Sequence, residues 1–165
     1  NFENFDIFLN EKSEIKNKQL NFNVSFQDAS DTQGNIIKKG KGSQFYNLAS
    51  NYTFNHLKKL FYLNVMDNIS YNAIAHEGSF THGPTISVNT QLLNKKMIPG
   101  ISVSYNNRIK SGINQNSIFN LRLNVAYRII QKHNLNLALI NQYNSTLNKE
   151  TKKILTGTLG YNYSF

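Results

Sequence analysis

Strict alternation of apolar and polar residues is the feature that most constrains this chain. The clearest run is Leu155–Phe165, where leucine or an aromatic residue occupies every odd position except Gly157. Threonine, glycine, asparagine and serine occupy the even positions. Successive side chains of a β-strand point to opposite faces. The run therefore predicts a strand with one apolar and one polar face.

The same pattern recurs upstream and predicts an all-β chain with about nine strands. The expected strands contain residues 5–9, 20–27, 46–54, 61–73, 86–89, 101–106, 119–129, 134–139 and 155–165. The fourth run fits least well, because Asp67 falls on its apolar face. Either a bulge at Met66–Asn68 re-aims this carboxylate, or the register differs there. No linker interrupts the pattern, so residues 1–165 are expected to form a single domain.

Composition excludes several classes of protein. The chain has no cysteine, so it contains neither a disulfide nor a thiolate metal site. No run approaches the 18 or so apolar residues of a transmembrane helix, and residues 1–10 do not resemble a targeting peptide. The net charge of +9 is compatible with nucleic acid, an anionic membrane surface or an anionic solute. Aromatic residues alternate away from the cations, which argues against nucleic acid.

Three features favour a transmembrane barrel over a soluble sandwich. The runs reach about 9–12 residues, the length of a tilted strand that crosses a bilayer; sandwich strands are usually nearer 5–6 residues. Long connections (28–42, 75–83, 110–116, 144–152) alternate with shorter ones (55–59, 93–98, 131–133), as in outer-membrane barrels. Aromatic residues cluster where strands meet the short turns, as in an interfacial girdle: Phe54, Phe61, Tyr127, Tyr161, Tyr163 and Phe165.

On these features the chain resembles the bacterial outer-membrane β-barrels. The specific likeness is Tyr161-Asn162-Tyr163-Ser164-Phe165, which is similar to the C-terminal signal that the barrel assembly machinery reads in that class. The asparagine- and lysine-rich style, with turns such as Gln131-Lys132-His133-Asn134, resembles barrels from bacteria that use type IX secretion. The resemblance implies an antiparallel up-and-down transmembrane barrel in the outer membrane. It also implies contact with lipid and lipopolysaccharide, and an assembly role for Tyr161, Tyr163 and Phe165.

The expected strand number conflicts with this class, in which complete single-chain bacterial barrels have an even number of strands. Three explanations stand. Residues 5–9 are not a membrane strand, which leaves eight strands from Leu20 onward; or the count of nine is wrong; or the chain is the C-terminal part of a larger barrel.

A basic set is the strongest candidate for chemistry. By parity, four cations face the polar interior on neighbouring strands: Arg108, Lys110, Arg122 and Arg128. Cationic rings inside a pore favour anions. Alternatively, these side chains pair with carboxylates or fill a closed interior, since eight strands enclose only their own side chains. The interior asparagines are expected to satisfy one another in a hydrogen-bonded network.

Other candidates are weaker. His76, Glu77 and His82 share a predicted loop but match no metal-binding motif, and Ser79 with these histidines and Asp67 is a chance resemblance to a catalytic set. We therefore expect no enzyme activity, metal or cofactor. The lysines at 38–41 and 152–153 are expected in external loops, solvated or near lipopolysaccharide phosphates, and Lys58-Lys59 and Lys95-Lys96 in short turns.

The sequence thus predicts a pore or transport barrel, or the barrel part of a larger outer-membrane transport or secretion complex with other subunits. The alternative is a small closed barrel that serves as an anchor or assembly subunit; an enzyme active at the barrel rim is the third hypothesis.

Overall fold

Antiparallel strands that follow one another along the chain build one large sheet in the computed structural model, which describes residues 2–29, 32–33, 36–37, 42–74, 77–130 and 132–163. The strands are β1 (Phe2–Lys12), β2 (Lys16–Ala29), β3 (Thr32–Gln33), β4 (Ile36–Ile37), β5 (Ser43–His56), β6 (Phe61–Ile74), β7 (Glu77–His82), β8 (Thr85–Thr90), β9 (Met97–Lys110), β10 (Ile113–Ile130), β11 (His133–Thr146) and β12 (Lys152–Tyr163). Among the described residues, no helix is long and apolar enough to cross a membrane.

The main sheet has ten strands, in the order β1-β2-β5-β6-(β7, β8)-β9-β10-β11-β12. β3 and β4 form a separate small hairpin. Strands β7 and β8 lie end to end between β6 and β9, and their register runs on unchanged across Gly83 and Pro84. A proline has no N–H to donate to the ladder, which explains the break. The ten strands therefore occupy nine positions, as many as the sequence predicts.

The sheet is open within the described residues, because β1 pairs only with β2 and β12 pairs only with β11. All neighbouring pairs are antiparallel. With nine positions, the first and the last strand run in the same direction. The predicted strand at residues 5–9 lies entirely within β1, which pairs with β2 along its whole length. The sheet therefore does not start with the strand at Leu20, and it has nine strand positions rather than eight.

The two faces of the sheet differ as the alternation predicts, and no described side chain is buried in a core. On β9, Ile101, Val103 and Tyr105 are exposed, whereas Ser102 and Ser104 on the other face are partly sheltered. Within the part of the chain that the structure describes, no second layer covers either face. In a single-layer sheet the concave side is the more sheltered one, so this difference indicates a sheet that curls around its polar face.

The expected alternation of long and short connections is wrong. The long loop predicted at 110–116 is reduced to a two-residue link at 111–112, most of the one predicted at 75–83 is strand β7, and the connection from β8 to β9, predicted to be short, spans six residues. The strands instead extend into the expected loops, and β10 reaches 18 residues. Ser111 and Gly112 both have positive φ values, of 53° and 75°, the conformation of a tight type I′ hairpin. Near the strand ends, polar residues occupy both faces. The alternation of apolar and polar residues therefore does not show that the strands extend there.

Candidate functional site

Two rows of aromatic rings cross the apolar face of the sheet. At the end near the connection 30–42, the rings of Phe26 and Tyr46 lie 4.9 Å apart, and Tyr71 lies 6.1 Å from Tyr46. Phe119 and Tyr143 continue this row further along the sheet, 6.2 Å apart. The row contains members of β2, β5, β6, β10 and β11.

The second row lies near the short turns and contains aromatic residues that the sequence predicts there. Phe54 and Phe61 face each other across the β5–β6 turn, with ring centroids 6.5 Å apart. At the far side of the sheet, His133 at the start of β11 contacts two rings of β12, Tyr161 at 5.9 Å and Tyr163 at 4.9 Å. Phe165, the third residue of the expected assembly signal, lies outside the described residues.

The rows are separated by eight residues on two strands and by ten on β6, where Phe61 and Tyr71 belong to the two rows. Tyr46 and Phe54 are eight residues apart on β5, and Phe119 and Tyr127 are eight residues apart on β10. Eight residues of strand span about 27 Å, or about 20 Å along the axis of a barrel whose strands tilt by about 40°. Between the rows on β10 lie only leucine and valine on this face, at positions 121, 123 and 125.

Asp67 and His82 form a hydrogen-bonded pair on the apolar face, with Nε2 and Oδ2 3.2 Å apart. The expected bulge at residues 66–68 is absent, because the β5–β6 register runs unbroken through Asp67. The carboxylate keeps its place on the apolar face and instead meets the imidazole of His82 on β7, with Oδ1 and Nε2 3.0 Å apart. Both side chains are partly sheltered, at 35% and 40% exposure. Sequence reasoning missed this pair because the two residues become neighbours only through the β6–β7 register.

The same register separates the groups that a metal site or a catalytic set would require. Ser79 and Glu77 lie on the polar face of β7, opposite to His82. The Oγ atom of Ser79 accepts a hydrogen bond from Nε of Arg108 at 3.0 Å. Among the described residues, no three metal-binding side chains come together. His76 lies outside the described residues.

Amide side chains dominate the polar face. Nδ2 of Asn23 donates to Oδ1 of Asn4 and to Oδ1 of Asp6, at 2.8 and 2.6 Å. Nδ2 of Asn120 donates to Oγ of Ser104 at 3.2 Å. Four sheltered amide oxygens of this face have no hydrogen-bond partner among the described residues, those of Asn17, Asn21, Asn51 and Asn64, and Oδ1 of Asp67 on the opposite face is a fifth such atom. The amide network that the sequence predicts is therefore only partly self-satisfied.

The four predicted basic residues all lie on the polar face, at three different levels. Arg108 and Lys110 are near the β9–β10 turn, where Lys110 pairs with the carboxylate of Glu77. Arg122 lies six residues along β10 from Asn116, the partner of Arg108, or about 20 Å away. Arg128 lies another six residues along β10, beside the short turns. The four cations line the length of the face and do not form a ring.

The other predicted lysines have different surroundings. Lys152 and Lys153 begin β12, and the Lys153 ammonium lies over the ring of Tyr143, 5.6 Å from its centroid. Lys58 lies in the turn between β5 and β6, and Lys95 and Lys96 lie in the turn between β8 and β9, as the sequence predicts. The lysines at 38, 39 and 41 lie outside the described residues.

Lys95 and Lys96 come close to Arg128, which sequence reasoning missed. The three cations line one groove of about 320 Å³ on the polar face. The turn that carries the lysines has positive φ values at Leu93, Asn94 and Lys95. No sequence signal identifies that turn conformation in advance.

Comparison of the chain with protein-family models, with curated proteins and with solved structures finds no match.

Proposed function

We propose that this chain forms the wall of a transmembrane β-barrel pore in a bacterial outer membrane. Its apolar face contacts lipid, and its asparagine- and arginine-lined face borders the path of a solute. The observation that carries the proposal is the pair of aromatic rows, eight residues apart on both β5 and β10, which flank a mostly apolar band. Outer-membrane barrels have an apolar band about 25 Å tall between two aromatic girdles.

The exposure of the apolar face supports the same proposal. Leu123, Leu137 and Leu139 are each more than 40% exposed in the middle of their strands, and no described residue covers them. A soluble protein rarely leaves so large a contiguous apolar surface open to water. Lipid would cover this surface, and the polar face, being concave, would enclose water.

Further strands are needed to complete the barrel. β1 and β12 each have one free edge and run in the same direction, so they cannot pair with each other as antiparallel neighbours. Closure by antiparallel strands alone requires an odd number of additional strands. We propose that the chain is one part of a larger outer-membrane barrel of a transport or secretion complex. β12, with Tyr161 and Tyr163, would be the strand that the assembly machinery recognises.

Arginine substitution on adjacent residues tests the proposal. Leu123→Arg and Leu137→Arg place a charge on the apolar face between the aromatic rows. This should cost about 2–4 kcal/mol in a bilayer and reduce the amount of protein that resists urea extraction from outer membranes. Asn124→Arg and Asn136→Arg, one residue away on the polar face, are the matched controls and should insert normally. Equal insertion of all four variants would contradict a membrane-spanning wall.

Planar-bilayer recording separates a pore from the alternative of a closed structural anchor. Inserted protein that gives a steady conductance supports the pore. Inserted protein that never conducts supports an anchor whose interior is filled by its own amide side chains.

A further inference from the structure

We infer that the groove beside Arg128 binds a phosphate-bearing solute at the short-turn mouth of the proposed pore. The groove, about 320 Å³ in volume, is the meeting point of the β8–β9 turn and strands β9 to β12. Its polar lining consists of Lys95, Lys96, Arg128, Asn134, Asn136 and Asn162. The inference deepens the proposed function, on which it rests for the direction of solute entry.

The structure holds the cations of this groove together. The backbone N–H of Arg128 donates to the carbonyl oxygen of Lys96 at 2.7 Å, which ties the lysine-bearing turn to β10. The register of β10 against β11 shifts between Arg128 and Ile130. Such irregularities re-aim neighbouring side chains and are frequent next to functional sites.

Within the described residues, no carboxylate compensates the charge of the groove. None of the described residues that line it carries a carboxylate, and no ion pair among the described residues includes Lys95, Lys96 or Arg128. Bringing three like charges to one place is unfavourable unless an anion accompanies them. The unpaired cations of this groove are thus a preformed counter-charge for an anionic solute.

A second groove on the same face provides an internal comparison. It lies near the opposite ends of the strands and contains Arg108 and Lys110. There Lys110 pairs with Glu77, and Arg108 donates to Ser79. Protein groups already contact the cations of that groove, whereas no described residue pairs with the cations at the short-turn end, which leaves them for a ligand.

The chemistry of the lining favours a phosphate group over a monovalent anion. The arginine side chain presents a planar fork of N–H groups that matches phosphate oxygens, and lysine adds point charge. The amides of Asn134, Asn136 and Asn162 supply neutral donors around the cations. A doubly charged oxyanion would use both kinds of group, while chloride would use the charge alone.

Calorimetric titration of detergent-solubilised protein with inorganic phosphate tests the inference, at fixed ionic strength maintained with chloride. We expect saturable binding that weakens at least tenfold in Arg128→Gln and further in the Arg128→Gln/Lys96→Gln double variant. Arg108→Gln, the matched loss of an arginine in the compensated groove, should bind within about twofold of the unsubstituted protein. The Lys96 contact to Arg128 is made by its backbone, so Lys96→Gln should leave the turn in place.

Three results would overturn the inference: no saturable phosphate binding, equal weakening by Arg108→Gln, or displacement of phosphate by phosphatidylglycerol micelles, which would assign the groove to lipid headgroups. If Arg128→Gln fails to fold, Lys95→Gln/Lys96→Gln replaces it, with the same tenfold loss expected. Binding is measured without a membrane. A protein that binds phosphate but never conducts would thus refute the pore and leave the groove assigned.

Discussion

The carboxylate of Asp67 and the imidazole of His82 meet at 3.0 Å on the face of the sheet that is mostly apolar. Their cross-strand neighbours on this face are also polar, since Ser50 lies opposite Asp67 and Asn107 lies opposite His82. The imidazole Nε2 makes a hydrogen bond with Oδ2 of Asp67 at 3.2 Å across β6 and β7, beside the point where Pro84 interrupts the strand. The pair explains how a carboxylate is tolerated at this position without a bulge.

A double-mutant cycle on this pair should show strong coupling. Asp67→Leu and His82→Leu each leave one polar partner unpaired and should each lower the free energy of unfolding, by about 1 kcal/mol since both groups are partly exposed. The Asp67→Leu/His82→Leu double variant should be at least as stable as the original, because apolar replacement of a whole sheltered pair is often neutral or stabilising. Urea unfolding in detergent micelles measures the stability of all three variants. Strictly additive effects of the two substitutions would mean that the contact contributes nothing to stability.

Reversing the charge of Arg122 should change ion selectivity. Arg122 lies on the polar face midway along β10, and a carboxylate there should move the reversal potential of the pore toward cation preference. Lys153→Glu makes the same change of charge on the apolar face of β12 and should leave the reversal potential within experimental error. A shift of equal size in both variants would show that Arg122 does not line the path.

The absence of cysteine allows each face to be probed by single labels. Cysteines introduced one at a time from Asn120 to Val125 and labelled with a polarity-sensitive fluorophore should report alternating surroundings in lipid vesicles. Labels at the odd positions 121, 123 and 125 should emit as in hydrocarbon, and those at 120, 122 and 124 as in water. An emission maximum that does not alternate along this segment would contradict a two-faced wall in the bilayer.

Proline substitutions distinguish a free β12 edge from one that is paired on both sides. In an antiparallel strand, the N–H groups of adjacent residues point to opposite neighbours, and proline is tolerated only where the N–H is unused. If further strands complete the barrel, Leu155→Pro and Thr156→Pro should both impair folding in the full-length protein. If β12 stays at an edge, one of the two should be tolerated.

Leu139→Pro and Ile140→Pro in β11, which has neighbours on both sides, provide the matched standard for damage. Heat modifiability on gel electrophoresis reports the folded fraction of all four variants. A tolerated variant at 155 or 156, with both β11 variants damaged, would refute the completed barrel.

Alternation along the chain was sufficient to predict the all-β class, the nine strand positions and the face of nearly every residue between the aromatic rows. Periodicity predicts these because it depends only on the pleat of a strand, in which side chains alternate whatever lies beside them. Asp67, Arg108 and Arg122 all lie on the faces that parity assigns to them. The aromatic row near the short turns was predictable for the same reason.

Which strand ends come together, and which residues then meet, was decided only by the tertiary structure. The Asp67–His82 pair, the distribution of the basic residues over three levels and the approach of Lys95 and Lys96 to Arg128 all depend on inter-strand register and turn conformation. Register is set by hydrogen-bond ladders between distant segments and by positive φ values in tight turns. The pattern of residue types along the chain contains no information about either the ladders or the turn conformations. For the same physical reason, only the strand pairing in the structure shows that β1 and β12 have open edges.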